Sequence, residues 1–409
     1  MAGGCSERYV SCFVQPIFVL EVVHRDKFTG RLLELAFEVY RTKPVDEDIR
    51  LYLLRNDFLP TDGDSRILQV EINTISSGFA GILESLSQIH ASNKLLYYPS
   101  LPGDLPRNTP CHAFAPAIAQ AVGEHNLKWG RSSRAVLFVI EEGERNIVDQ
   151  YAIELILQRD FGLTVIRKTL QNISNRSTLT EEGFLLFDSI EVALVYFRSG
   201  YDPKHYPSGE VEWEARKLIE KSKSVKCPSL LAQLAGTKKV QQLWYQDNGS
   251  VLRRFGLSES EILSLFEVFA IQTDPSVDTV SSKKAIENPD GWVLKPQREG
   301  GGNNLYGEEL RHALVSLDHE ELAQYVLMER MNPVPRPALV VDSAATLATG
   351  SVVPTVIGEA VSELGIFSFY LPRSGKGDVC GHLLRTKDKA VREGGVNAGF
   401  AYLDTASLI

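Results

Sequence analysis

Along residues 26–39, Phe28, Leu32, Leu33, Leu35 and Phe37 recur among charged side chains at a spacing that predicts a helix. Leu51-Tyr52-Leu53-Leu54 predicts a strand ending at Arg55-Asn56-Asp57. A cation just past a strand end is either a ligand contact or an ordinary loop residue. Over 67–75 the period changes to two. Val70 and Ile72 alternate with Gln69, Glu71 and Asn73, so three polar side chains are expected on one face. Proline and glycine crowd 99–116, which reads as a connection. From 135 to 198 apolar strands (135–140, 163–166, 191–197) alternate with helical spacing at 144–159, which Gly162 ends. That order predicts βαβ units and a parallel sheet.

Further on, 212–223 and 258–269 read as amphipathic helices, 274–284 as a mobile polar excursion. Trp292-Val293-Leu294 predicts a strand closed by Lys295-Pro296, with Gly300, Gly301 and Gly302 after it. A helix then starts near Gly307, with Leu310, Ala313, Leu314 and Leu317 at i, i+3, i+4 and i+7. Strands are expected at 324–331, 338–341, 352–357 and 366–371, with Ser362-Glu363-Leu364-Gly365 between the last two. The diglycine near the end, Gly394-Gly395, is as good a plain turn as a substrate lid.

Composition narrows the class. The chain has 409 residues, enough for two or three packed units, and its 44% apolar and 23% charged residues are those of a globular protein. A net charge of -9 argues against a nucleic-acid partner or an anionic membrane. No apolar run reaches membrane-spanning length, and no basic-then-apolar leader opens the chain. The five cysteines (Cys5, Cys12, Cys111, Cys227, Cys380) form no Cys-x-x-Cys pair, which fits free thiols in a reducing, cytoplasmic setting.

Candidate chemistry gathers at the strand ends and the glycine triplet. Three glycines let backbone N–H groups approach an anion, although such a triplet is more often only a flexible loop. The stretch matches neither familiar nucleotide fingerprint. Lys295 could hold phosphate charge there, while Glu299 and Asn303-Asn304 offer oxygen to a hard cation. Glu71 and Asn73 pair a carboxylate with an amide on one strand, a set that suits magnesium or a solvated sheet face. Glu144 and Asn146 open a helix, where capping is the plainer role. Gly236-Thr237-Lys238-Lys239 can meet phosphate at a helix start or stay solvated.

These blocks resemble, in order along nearly the whole chain, the eukaryotic-type glutathione synthetase family. The resemblance is carried most specifically by Lys295-Pro296-Gln297-Arg298-Glu299-Gly300-Gly301-Gly302-Asn303-Asn304-Leu305-Tyr306-Gly307 and by Gln233-Leu234-Ala235-Gly236-Thr237-Lys238-Lys239-Val240-Gln241-Gln242. It implies an α/β ATP-grasp fold with an inserted parallel-sheet βαβ substrate-binding subdomain and a glycine-rich lid. On that pattern 1–130 is the first part of the catalytic unit, 131–232 the substrate subdomain and 233–409 the lid and the remaining catalytic part. The implied partners are ATP, γ-glutamylcysteine and glycine, with Mg2+ as cofactor and a homodimer as the assembly. The implied magnesium ligands are Glu71, Asn73 and Glu299. ATP is expected against Lys238, Lys295, Gly300, Gly301, Gly302, Asn304, Tyr306, Met328, Glu329, Met331, Glu363, Lys387 and Glu393. The dipeptide or product is expected against Arg55, Ser76, Gly78, Glu144, Asn146, Gln150, Arg198, Tyr201, Arg385, Val396 and Asn397. Arg385, Lys295 and Lys238 are the expected catalytic cations. In the implied mechanism a dipeptide carboxylate attacks the γ-phosphate, and glycine's amine displaces phosphate from the acyl phosphate.

The sequence departs from the family pattern where Gly78 replaces a serine, Lys204 an arginine and Asn397 a small alanine, and it starts late relative to a usual member. Two further readings stand beside ligation of glycine. One is a synthetase using another acceptor such as β-alanine or serine, motivated by Asn397. The other is a non-catalytic homologue that binds nucleotide or thiol peptide, motivated by Gly78 and the late start.

Overall fold

The computed structural model describes residues 26–41, 43, 49–61, 66–97, 99–100, 103–298, 302–341, 350, 354–392, 394–396 and 399–405. Three sheets organise these residues. The first, a large one of six strands, is antiparallel, in the order Tyr402–Asp404, Lys376–Asp388, Pro354–Leu371, Tyr52–Pro60, Ile67–Asn73. Arg336–Val341 pairs with the first third of Pro354–Leu371, and Tyr52–Pro60 takes over the same edge from Leu364 onward. The second sheet, also of six strands, holds Thr164–Lys168, Ala135–Val139, Ile190–Phe197 and Val225–Cys227 in parallel, with Leu185–Phe187 and Ser177–Leu179 added antiparallel. The third is small, with Gln272–Thr273 and Trp292–Pro296 flanking Tyr325–Glu329.

The expected parallel sheet is present, and its physical basis is plain. Every residue of Ala135–Val139 is buried, as a strand covered on both faces requires. Cys111–Trp129 and Ile147–Phe161 cover one face, where Phe114, Ile118, Ile153 and Leu157 share a core with Val136 and Phe138. Phe367 and Leu383 of the antiparallel sheet enter that same core, and the rings of Phe114 and Phe367 meet edge-on at 5.9 Å. Each such side chain contributes about 2–3 kcal/mol by leaving water. The small sheet rests against the large one through Leu68, Ala270, Val293 and Met328, which fixes the walls of a cleft between them.

Several expectations change. Residues 354–357 and 366–371 belong to one strand of 18 residues, Pro354–Leu371, with 352 and 353 outside the described residues, so Glu363 and Gly365 lie inside a ladder rather than between two strands. Arg55 also lies within its strand, which runs on to Pro60. The stretch 99–116 already contains the start of the helix Cys111–Trp129, which carries Pro116 within it. The polar excursion at 274–284 is half helix, Thr279–Glu287, capped by Asp278 on the N–H groups of Val280 and Ser281. Its anchor is Asp274, which holds the buried Lys239 at 2.9 Å. Polarity there reflects capping and an ion pair, which composition alone does not separate from a loop.

Candidate active site

The hairpin of Tyr52–Pro60 and Ile67–Asn73 builds the centre. Arg55 opposes Asn73 and Asp57 opposes Glu71, but the register slips at Asp57/Phe58 so that Phe58 opposes Gln69. Opposed residues share a face, so this bulge separates Gln69 from Glu71 and Asn73. Gln69 Nε2 therefore donates to Asn56 Oδ1 at 2.8 Å, while Asn73 Nδ2 donates to Asp57 Oδ2 at 3.0 Å. The expected row of three polar side chains is a pair, Glu71 and Asn73.

One side of this hairpin opens on a pocket of about 190 Å³. Arg55, Asn73, Ser76, Gly78, Glu144, Asn146, Arg198 and Tyr201 line it together with Gln233 and Gln297. Asp149 pins its floor. This carboxylate, fully buried, pairs with Arg198 Nη2 at 3.0 Å and accepts the N–H of Phe79 at 3.0 Å and of Gly81 at 2.6 Å. Those bonds hold Ser76 at φ 53° and Phe79 at φ 78°, left-handed conformations that cost energy in a non-glycine residue. Asn146 Oδ1, Arg198 Nε, Gln233 Oε1 and Gln297 Nε2 are buried without a hydrogen-bond partner among the described residues. A pocket lined by orphaned donors and acceptors is built for a polar ligand. Burial, with Glu144 and Glu141 nearby, pushes the Tyr201 phenol up to about 12, so Tyr201 acts there as a neutral hydroxyl.

The other side opens on a larger cleft of about 630 Å³ between the large and small sheets. Its walls carry Lys295, Asn304, Tyr306, Met328, Glu329 and Met331 on one side and Glu363, Arg385 and Lys387 on the other. Apolar Val70, Val293 and Met328 beside cations suit a flat ring with a charged tail. Glu71 meets Lys238 Nζ at 3.5 Å, and Lys238 also donates to Arg298 O at 2.9 Å. Burial raises the Glu71 carboxyl, but Lys238, Lys295, Arg385 and Arg55 together outweigh it and bring it to about 2. Burial, with Asp57 and Glu71, leaves the Glu363 carboxyl above its usual range although Arg385 Nη2 touches it.

Asp57 joins the two spaces. Its carboxylate takes Arg55 through Nε and Nη2, both at 2.7 Å, and Arg385 Nη2 at 3.2 Å. Arg55 lines the pocket and Arg385 lines the cleft.

Among the sequence-derived candidates, Gln150 stands behind the pocket wall, where its carbonyl takes Arg167 Nη2 at 2.6 Å and its amide faces Glu144 at 3.4 Å. Val396 and Gly302 lie on the wall of neither space. Glu299, Gly300, Gly301, Glu393 and Asn397 lie outside the described residues. At Gly78 a Cβ would come within 3.3 Å of Arg198 Nη2 and of Asn146 Nδ2, so the absent side chain leaves both donors facing the pocket. Lys204 pairs with Glu141 at 3.4 Å with its side chain 59% exposed, a surface contact away from the wall. Sequence reading missed Asp57, Asp149, Gln233 and Gln297. Asp149 had a signal, an acid on the buried face of its helix four residues before Ile153.

Comparison with known proteins adds to this geometry. A family described as "Eukaryotic glutathione synthase, ATP binding domain" matches residues 12–408. The chain is 39% identical over 394 residues to the chloroplastic glutathione synthetase of Solanum lycopersicum, covering 94% of this chain and 69% of that one. It is 38% identical over 395 residues to the glutathione synthetase of Homo sapiens, covering 93% and 79%. In structure it is similar to a glutathione synthetase-like effector from Globodera pallida in its apo form, with TM-score 0.68, 18% identity, and coverage of 100% and 86%.

Proposed function

The chain belongs to the eukaryotic glutathione synthase family and is an ATP-dependent ligase of the ATP-grasp fold, and we propose that it joins γ-glutamylcysteine to glycine. The observation that carries this reading is the shared wall. Arg55 in the small pocket and Arg385 in the large cleft share Asp57, beside Glu71 and Asn73, so a carboxylate in the one and a phosphate in the other would meet there.

Arg55 keeps Nη1 and Arg198 keeps Nε for the pocket, and hydrogen bonds from such charged donors to a carboxylate are strong. Tyr201, Asn146 and Gln233 orient the rest of the dipeptide. Lys295, Lys387 and Arg385 line the cleft where the phosphates of ATP lie, with the adenine against Met328–Met331. The dipeptide carboxylate oxygen attacks the γ-phosphorus and the bond to the ADP oxygen breaks. The glycine amine then attacks the acyl carbon, loses a proton, and phosphate leaves. Positive charge fixed in advance around the reacting oxygens lowers the barrier to both steps.

Glu71 and Asn73, with Glu299, would hold magnesium, which when bound neutralises phosphate charge. The donor set fits a hard cation. Glu71 is ionised, and Asn73 spends its amide N–H on Asp57, which leaves its carbonyl oxygen as the group that would ligate.

A homodimer is supported by the stripe Val148, Tyr151 and Leu155 on the helix Ile147–Phe161, exposed by 64%, 49% and 58%. The described cysteines, Cys111, Cys227 and Cys380, are free thiols, which supports a reducing compartment such as the cytoplasm. No described helix is long and apolar enough to cross a membrane.

The deciding experiment measures ADP release with ATP, magnesium and γ-glutamylcysteine, comparing glycine, β-alanine, serine and no acceptor. Glycine-dependent release is expected. Preference for another acceptor would shift the specificity to Asn397 and its loop, and silence from folded protein that binds ATP would overturn the ligase reading.

A further inference from the structure

We propose that Asp57 is a positioning residue that sets the mutual geometry of the two arginines on either side of the active site. The inference rests on the reading of the two spaces as dipeptide and nucleotide sites. Asp57 is wholly buried, lines neither space, and sits on the central strand of the hairpin ladder, between Glu71 on one neighbour and Gly365 on the other.

Three side chains converge on this one carboxylate. Arg55 binds it in the two-pronged way, at 2.7 Å and 2.7 Å, Asn73 Nδ2 donates at 3.0 Å and Arg385 Nη2 at 3.2 Å. A bidentate pair fixes the guanidinium plane as well as its position. With its Nε and Nη2 engaged, Arg55 keeps Nη1, which reaches Gly78 O at 3.4 Å on the pocket rim. Arg385 has the complementary arrangement. Its Nη2 is shared between Asp57 and Glu363, while its buried Nε has no partner among the described residues. A buried donor left unpaired is held for something that arrives. Asp57 thus fixes one arginine in the wall of each space and engages the amide nitrogen of Asn73.

The neighbouring strand is shaped for this. A Cβ on Gly365 would stand 2.7 Å from Asp57 Oδ1, 3.0 Å from Arg55 Cδ and 3.1 Å from Leu383 Cβ. A side chain there would push the carboxylate and the arginine out of line. Gly365 is the space that the Asp57–Arg55 pair occupies.

The test compares wild type, Asp57→Asn and Gly365→Ala. Calorimetry reads γ-glutamylcysteine binding and ATP binding separately, and steady-state kinetics reads KM and kcat for each substrate. Asp57→Asn keeps the volume and one acceptor oxygen while removing the charge. Its dipeptide Kd and KM are expected to rise by about tenfold and kcat to fall by about a hundredfold, with ATP affinity changed by no more than about threefold because Arg385 keeps Glu363 whereas Arg55 loses its two-pronged partner. Gly365→Ala keeps the charge but displaces it, and is expected to show the same split at smaller size. Should Asp57→Asn fail to fold, Gly365→Ala decides alone. A folded variant whose dipeptide affinity stays within about twofold of wild type overturns the proposal, as does equal loss of dipeptide and ATP affinity, the mark of general loosening. Wild-type protein that binds the dipeptide but makes no amide would overturn the ligase reading instead, and the Kd comparison would still decide the role of Asp57.

Discussion

The ring of His205 stands edge-on to the ring of Tyr201, with centroids 4.6 Å apart. Its Nδ1 accepts the backbone N–H of Gly200 and of Asp202, each at 3.1 Å, and its Nε2 faces Glu141 Oε2 at 3.1 Å. One nitrogen therefore holds the loop that carries Tyr201 to the pocket, and it does so only while unprotonated. Burial lowers the His205 pKa from its ordinary 6.5, more than Glu141 raises it, with Lys204 lowering and Asp202 raising it further. A depressed histidine contributes stability that is full above the unfolded value and is lost as pH falls through the folded one. The KM for γ-glutamylcysteine should accordingly stay flat from about pH 7.5 down to about pH 6.5 and rise by about threefold to tenfold only below that, as His205 gains its proton. His205→Gln, which keeps an acceptor that does not titrate, should flatten that rise. Parallel profiles in the two proteins would remove His205 from the loop's control.

Glu71→Gln should lower kcat by about a thousandfold and raise the magnesium needed for half-maximal rate, with the urea midpoint near that of wild type. It removes the ionised oxygen that Lys238 meets at 3.5 Å. Glu299→Gln should act in the same sense. Chelation of magnesium should stop turnover of wild type, and its return should restore it. Unchanged turnover in either variant would take that residue out of the metal set.

Lys239→Met should destabilise the fold by about 3 kcal/mol, because it leaves Asp274 without the ammonium that meets it at 2.9 Å. Replacing both, with Lys239→Met and Asp274→Leu, should recover part of the loss. Equilibrium urea unfolding separates the cases. A single variant as stable as wild type would mean that the pair contributes nothing.

Much of this architecture was legible because its periods are strong. The parallel strands are buried on both faces, and a continuous apolar run such as Ala135–Val139 has little else to be. The pair Glu71 and Asn73 was legible from alternation alone, whereas Gln69 was not, since a bulge that adds one residue leaves no trace in composition. The strand Pro354–Leu371 was read as two because Gly358 and Gly365 look like breaks. At Gly365 the cause lies across the sheet, in the space needed by Asp57, and no local rule reports it. Asp57 itself was passed over for the same reason, as its partners Asn73 and Arg385 are distant in the chain.

Gly236→Ala should cost about 1–3 kcal/mol, since a Cβ there would stand 2.2 Å from Thr74 Oγ1 and 2.8 Å from Thr74 Cγ2. Thr74 follows Asn73, so turnover should fall with stability. Gly123→Ala, where a Cβ would meet nothing within 4 Å, serves as the control and should unfold at or above the wild-type temperature. Equal midpoints for the two variants would contradict the packing at Thr74.

One carboxylate serving two arginines also has a thermodynamic consequence. A dipeptide that drew Arg55 toward itself would weaken that arginine's hold on Asp57 and leave more of the carboxylate's charge to Arg385, so occupancy of one space would alter the field in the other. Such linkage is reciprocal. Whatever factor the dipeptide applies to the affinity for nucleotide, the nucleotide must apply to the affinity for dipeptide. On the proposed reading, the shared wall would therefore carry communication between the two ligands within one protomer, whatever its oligomeric state.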